Sequence, residues 1–431
     1  VGSVYERPHE AGAAHFLEHM LFKGTRKRGP GDLAREVESA GGDINAWTEF
    51  NNTAYHLVLG RRYFDLGLDV LADAVQRPAL SAVEIDRERH VILEELQQGE
   101  DSPHRTNFQQ LFSTAFGKHP YGRPVIGLRE TVTAMSRKDL RAFHQRWYGP
   151  NNLTFLVAGD VRPEDVMPRI RRAFRSKARE LPERPSARPP RPRAPRIAVR
   201  RAAVRDAYLL LGFHAPGLMH ADTPAIDLAA TLLGQGDSSR LQRRVLRERE
   251  MVTDVSAYAF SPHDHGLFTV GATLDPDQLE PAVDALLEET FSLGVTPVER
   301  EEIEKARLLS ESNAVMQAET AQGLARKAGF YRAATGDPNY EEIYLDALRQ
   351  VTPAALRHSL GRYLRPDRCT LSLVIPEEYA TPRRVQVMRK RLVGLCDAAF
   401  ERVGARRVQR APAPGDGSIV RATLDNGITL L

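Results

Sequence analysis

His15-Phe16-Leu17-Glu18-His19 is the stretch around which the rest of the chain is organised. On a helix, residues three and four apart share a face, so His15 and His19 point the same way with Glu18 beside them. Phe16, Leu17, Met20 and Leu21 supply an apolar surround. A lone histidine in such a setting is usually a core residue with one satisfied hydrogen bond. Two histidines and a glutamate within one turn are harder to bury unless something pairs them. Neutral imidazoles are good zinc ligands, and two of them one turn apart can grip one ion. A carboxylate beside that ion, but not on it, can take a proton from water that the ion activates.

The chain has 431 residues, enough for two or three domains with proper cores. Its 42% hydrophobic and 27% charged content is that of an ordinary soluble protein. A net charge of +4 does not call for nucleic acid, and the clearest basic run lacks interleaved aromatics for stacking. Two cysteines, Cys369 and Cys396, cannot make a disulfide framework and stand far from the histidines in sequence. No segment is long and apolar enough to span a membrane. No signal peptide is seen, and the chain opens on Val1-Gly2-Ser3 rather than Met, so no compartment is assigned.

Outward from the histidines, residues 8–23 read as one helix closed by Gly24. A second helix covers about 31–40 and stops at Gly41-Gly42. Asp43–Thr48 follows, then Thr53–Leu59, the latter a good strand by its alternation. Residues 63–76 look helical. Ser81-Ala82-Val83-Glu84 is a capping box that opens the next helix. On that helix Glu88 and Glu95 share an arc with Ile85, Val91, Ile92 and Leu96, while Glu94 points away. Two carboxylates in an apolar arc need a partner. A salt bridge to Arg or Lys would serve, and so would a metal ion. With the histidine pair lacking a third ligand, Glu95 or Glu88 is the candidate. Asp101-Ser102-Pro103 breaks the helix, and a capped helix runs from Ser136 to about Tyr148. Leu153–Gly159 reads as a buried-type strand, followed by a helix from Pro163 to Arg175.

Residues 181–196, LPERPSARPPRPRAPR, form a stiff Pro/Arg-rich linker. Beyond it the grammar repeats. Tyr208–Phe213 is a strand, then come helices at about 225–233 and 240–248. Strands at 255–260 and 267–272 are antiparallel, capped helices start near Thr296-Pro297 and Thr352-Pro353, and Cys369–Ile375 is a closing strand matching 153–159. This predicts an α+β fold: a duplicated unit of two homologous α/β-sandwich halves, with antiparallel-rich sheets and helices packed on one face. The second copy has no His-x-x-Glu-His. The Gly234-Gln235-Gly236 turn is not a phosphate loop, since no Lys-Ser/Thr follows. Residues 420–431 read as a hairpin around Asp425-Asn426-Gly427.

The order His-x-x-Glu-His is the inverted form of the zinc-protease helix motif. Together with Met20-Leu21-Phe22-Lys23-Gly24-Thr25, Gly41-Gly42-Asp43-Ile44-Asn45-Ala46 and Val91-Ile92-Leu93-Glu94-Glu95, it makes the chain resemble the pitrilysin-type (inverzincin) zinc metallopeptidases. That family includes the mitochondrial processing peptidase β-subunit and insulin-degrading enzyme. The two-half layout extends the resemblance over most of residues 1–405. It implies one zinc ion held by His15, His19 and Glu95, the last falling 76 residues past His19. It further implies Glu18 as general base and Glu88 as a supporting glutamate. Segment 44–48, with Asn45 and Ala46, would be an edge strand that pairs with an extended peptide substrate. Three ligands leave a fourth position open, the pattern of a catalytic zinc.

Two departures qualify the resemblance. Active relatives carry an Arg and, seven residues on, a Tyr in the second half; here Arg247 occupies the first place but Asp254 the second. An ionised acid cannot donate a hydrogen bond, so the expectation is that a second peptidase-like unit, fused or separate, completes the site. The chain also starts at Val-Gly-Ser and ends in a Leu-Asp-Asn-Gly hairpin of the kind that opens each unit in the family. The expected organisation is therefore 1–180 as the zinc-binding half without its first strands, 181–196 as linker and 197–405 as the half without a metal motif. Residues 406–431 would be a spacer and the opening of a second unit. The implied activity is a zinc endopeptidase acting on unfolded or short peptides. The rival is a non-catalytic scaffold or recognition subunit of the same fold, which would have lost part of the ligand set.

Overall fold

Two glycines with positive φ bracket the first helix, α1 (Ala13–Leu21): Gly12 at +94° and Gly24 at +100°. A side chain on Gly12 would collide with the Ile126 carbonyl, so only glycine lets the chain turn in there. The helix is therefore shorter than the expected 8–23, and Pro8–Glu10 forms a separate 3₁₀ turn. The computed structural model describes residues 1–184, 187–190, 192–410, 422–423 and 429–430.

After α1 come α2 (Asp32–Ser39), the strands β1 (Asp43–Thr48) and β2 (Thr53–Val58), α3 (Phe64–Gln76) and α4 (Ala82–Asp101). Then follow α5 (Pro103–Phe116), α6 (Arg129–Ala134), α7 (Arg137–Trp147) and α8 (Pro163–Ala173). β1 and β2 form an antiparallel hairpin that pairs Thr48 with Thr53 and Asn45 with His56. Ser81 does precede α4, but its side chain makes no capping bond; Glu84 turns to Arg87 at 2.8 Å instead. α5 was not anticipated, although Ser102 caps it, Pro103 opens it, and Phe108, Leu111, Phe112, Ala115 and Phe116 recur at helical spacing.

Leu153–Gly159, expected as a strand, pairs with no neighbour among the described residues, and Leu156 and Val157 are exposed. An apolar run becomes a strand only where another strand supplies ladder partners. Beyond the linker lie β3 (Arg196–Ala202), β4 (Ala207–Pro216), α9 (Thr223–Gly234), β5 (Asp254–Phe260) and β6 (His265–Leu274). They are followed by α10 (Leu279–Val295), α11 (Arg300–Gln317), α12 (Ala321–Thr335), α13 (Tyr340–Arg349), α14 (Pro353–Tyr363), β7 (Cys369–Pro376) and α15 (Pro382–Arg410). The expected helix at 240–248 is π-helical over Gln242–Arg247. α11 starts at Arg300 after Glu299, not at Thr296-Pro297.

The sheet of this second region runs β3-β7-β4-β6-β5, with β3 and β7 parallel and every other pair antiparallel. All eight residues of β7 are buried. α9, α10, α14 and α15 join the main core with Leu209, Leu211 and Phe213 of β4. α5 reaches over from the first region to the other face, where Gly212 makes room for Leu111. Asn107 and Gln110 of α5 bond the sheet at Tyr208 O and Leu373 O, at 2.9 and 3.0 Å. The fold is α+β with antiparallel-rich sheets, as the sequence predicts. Arg184 of the linker is pinned to Asp264 at 2.8 Å. Ala422–Thr423 and Thr429–Leu430 pair antiparallel, and the turn of that expected hairpin lies outside the described residues. Among the described residues no helix is long and apolar enough to cross a membrane.

Candidate metal centre

α1 buries Phe16, Leu17, Met20 and Leu21, which leaves His15 and His19 on its remaining face with ring centroids 4.7 Å apart. α4 lies against it, anchored by Ile85, Ile92 and Leu96. Val91, assigned to that apolar arc, is exposed because it sits on the rim. The same rim carries Glu95, half-buried and facing the histidines. His15 Nε2 and His19 Nε2 each lie 3.7 Å from Glu95 Oε2. The ligand atoms of the three residues fall within 4.8 Å of one another, the group of this kind found among the described residues. A tetrahedral zinc with bonds of ~2.0–2.1 Å separates its donors by roughly 3.3 Å, so a small inward adjustment accommodates the ion.

The surroundings fit that reading. His19 Nδ1 faces Glu88 Oε2 at 3.1 Å, which fixes the ring and leaves Nε2 for an ion. Glu88 is buried, and its second oxygen takes Lys23 Nζ at 2.7 Å. Glu88 is thus one layer behind Glu95, and it is Glu95 that the structure groups with the two histidines. Burial, and then the neighbouring His19, push the His15 imidazole down to about 3. It is neutral at any ordinary pH, the form in which imidazole ligates. His15 Nδ1 is buried with no partner among the described residues.

Glu18 stands outside the three-residue group. Its Oε2 accepts a 2.5 Å hydrogen bond from Thr48 Oγ1, at the end of β1. Burial raises the Glu18 carboxyl above its usual range; the Thr48 hydroxyl and His19 oppose this, and Glu95 adds to it. Thr48 was not singled out from sequence. Pairing the two β-rich segments across their connection would have found it, since Thr48 then falls opposite Thr53.

Asn45 and Ala46 lie on β1, which pairs only with β2 among the described residues, so its other edge is open. Asn45 Oδ1 accepts from the Ala46 N–H at 2.8 Å. α12 touches this hairpin: Arg326 stacks on Trp47 at 4.8 Å, and Gln322 meets His56 at 3.0 Å. Arg247 is not drawn to the cluster. It is exposed at the end of the π-helical turn and pairs with Asp237 at 3.1 Å. Asp254 is exposed at the start of β5.

Comparison with known proteins gives a consistent result. Residues 1–129 match the family model described as Insulinase (Peptidase family M16), and residues 134–309 match that described as Peptidase M16 inactive domain. An uncharacterized zinc protease of Streptomyces coelicolor is 32% identical over 386 residues, covering 87% of this chain and 83% of that protein. The crystal structure of a protease from Helicobacter pylori superposes with a TM-score of 0.81 at 26% identity, covering 87% of this chain and 92% of that one. The periplasmic protease PqqL from Escherichia coli shares the fold at 20% identity and a TM-score of 0.73, covering 100% of this chain and 50% of that one.

Proposed function

The chain belongs to peptidase family M16, and from that premise we propose that it is a zinc-dependent endopeptidase acting on unfolded or short peptides. One observation carries the reading: two imidazole nitrogens and the Glu95 carboxylate converge while Glu18 is held beside them and off them. His15, His19 and Glu95 would hold one zinc, with Glu88 orienting His19. When bound, zinc supplies a Lewis acid for the scissile carbonyl and acidifies a water in its open position. Glu18 accepts the proton of the attacking water at its free oxygen, Oε1, and later delivers it to the leaving amine. The open edge of β1 takes the substrate backbone as an added strand, with Asn45 and Ala46 in contact.

The halves divide this work. Residues 1–180 would carry the metal and the base; 197–405, joined through 181–196, carry the large sheet and no metal motif. Arg247, in the family's Arg place, has Asp254 where a donor is needed, so a second peptidase-like unit, fused or separate, would complete the substrate clamp. The twofold length of PqqL relative to this chain supports that arrangement. The non-catalytic alternative is disfavoured because His15, Glu18, His19 and Glu95 are all present. Glu18→Gln is expected to retain zinc and lose ~10²–10⁴-fold in peptide turnover. Cleavage by that variant at near wild-type rate would refute the assignment.

A further inference from the structure

A carboxylate placed one residue before a metal ligand has an obvious wrong option, which is to bind the metal itself. Asp and Glu oxygens are ordinary zinc ligands, and Glu18 sits between His15 and His19 on the same turns of α1. Ligation by Glu18 would fill the open coordination position and remove the base in one move. Something must keep the side chain off the ion while leaving it within reach of the water.

Thr48 is placed to do this. Its hydroxyl donates to Glu18 Oε2 at 2.5 Å. Across the strand pair Thr53 Oγ1 lies 3.2 Å from the Thr48 hydroxyl and donates to the Val1 carbonyl at 2.8 Å. The Thr53 proton is therefore engaged elsewhere, and the single Thr48 proton is committed to Glu18. Nearby, Tyr55 Oη and Tyr148 Oη meet at 2.9 Å, with Tyr148 buried and Tyr55 half-buried. Glu18 Oε1 has no hydrogen-bond partner among the described residues, so one oxygen is tethered and one is free.

We propose that Thr48 is a positioning residue: its hydroxyl tethers one oxygen of Glu18 so that the carboxylate stays beside the ion and not on it. The tether comes from β1, the strand whose outer edge is assigned to the substrate, so peptide docking and base orientation share one backbone segment. This inference rests on the zinc-peptidase reading given above.

The test uses the full chain loaded with cobalt(II) in place of zinc, since its visible absorption reports coordination number without any turnover. Thr48→Val keeps the shape and deletes the hydroxyl; Thr48→Ser keeps the hydroxyl. Thr48→Val is expected to weaken the absorption as Glu18 joins the metal, with Thr48→Val/Glu18→Ala and Thr48→Ser both returning to the wild-type spectrum. In peptide hydrolysis, Thr48→Val is expected to lower kcat by about 10–100-fold with KM little changed, and Thr48→Ser to restore most of it. A wild-type spectrum for Thr48→Val, or a serine variant as impaired as the valine one, overturns the tether while leaving the peptidase reading intact. If the wild-type chain binds no cobalt, or binds it equally well after His15→Ala, the metal site itself fails and the tether with it.

Discussion

α1 and β7 are both enclosed by protein, yet they bury opposite things. α1 carries two imidazoles and a carboxylate into its packing, with Glu88 of α4 bonded to His19, Thr48 of β1 bonded to Glu18, and Glu95 of α4 facing His15. β7 buries eight consecutive residues, of which the polar ones are small; Ser372, for instance, is bonded by Gln110 at 2.9 Å. In one region polar partners fix the geometry. In the other, apolar area and ladder hydrogen bonds do. Among the described residues the region of the candidate metal centre has a two-stranded hairpin, whereas the second has five strands with helices on both faces. The candidate site thus sits on helices beside the smaller sheet, and the bulk of the core lies elsewhere.

The largest effect that would test this division comes from the core. Phe213 is fully buried on β4 and packs edge-on against Phe291 of α10, with ring centroids 5.8 Å apart. Phe213→Ala is expected to cost about 3–5 kcal/mol, because the emptied volume cannot fully close. Urea unfolding should show that loss, while the metal affinity of the folded variant stays at its wild-type value. A parallel fall in affinity would mean that the two regions are not separable.

A smaller and opposite effect is expected from Glu88→Gln. The amide keeps the shape but weakens the hold on His19 Nδ1 and on Lys23. Loss of such an outer partner typically reduces metal affinity by about 10–100-fold, readable by competition against a chelator. The metal-free variant should unfold close to the wild-type denaturant concentration. If Glu88→Gln instead destabilises the chain as strongly as Phe213→Ala, Glu88 is a pillar of the fold and not a support for the site.

These contrasts explain what could be read in advance. His15, Glu18, His19, Glu88 and Glu95 were visible because helical periodicity alone sets which side chains share a face. The choice of Glu95 over Glu88 needed the resemblance, since both lie in one arc and only the packing of α4 on α1 separates front from back. The place of Thr48 opposite Thr53 is readable from hairpin pairing, but its bond to Glu18 is not, since that depends on how β1 packs against α1. Leu153–Gly159 and Cys369–Ile375 look alike in sequence, yet only the second is a strand, because β3 and β4 flank it. α5 is hard to read from sequence because Asp101-Ser102-Pro103 marks the end of one helix as readily as the cap and first turn of the next.

The smallest effect concerns the joint between the regions, where the end of α5 and the turn after it meet β4 and β6. Three histidines gather there. His119 accepts the Tyr121 N–H at Nδ1, at 3.1 Å, and its ring lies 5.7 Å from that of His265. His214 is bonded through Nε2 to the Ala115 carbonyl at 2.9 Å, beside Arg196. Burial comes first in holding His119 and His214 down at about 4; His265 adds to it at both, Arg123 at His119, and Arg196 and Arg368 at His214, while Asp264 opposes it at His119. Above the ordinary histidine value of about 6.5, both states are neutral and stability does not respond. As pH falls from there towards 4, the unfolded chain takes up protons that the folded one refuses, so unfolding becomes easier. Below 4 the folded chain is protonated too and the loss levels off. The full shift corresponds to at most about 3 kcal/mol per histidine, and solvent screening of these partly open surroundings reduces the expected cost to on the order of 1 kcal/mol across that window. It should be seen as a falling urea midpoint between pH 6.5 and 4 that is less steep in a His119→Gln/His214→Gln variant, with His15, held lower still, supplying part of the remaining slope. Because metal binding also weakens in acid, the comparison is made on metal-free protein; a slope left unchanged by the double substitution would move the acid-sensitive element away from this joint.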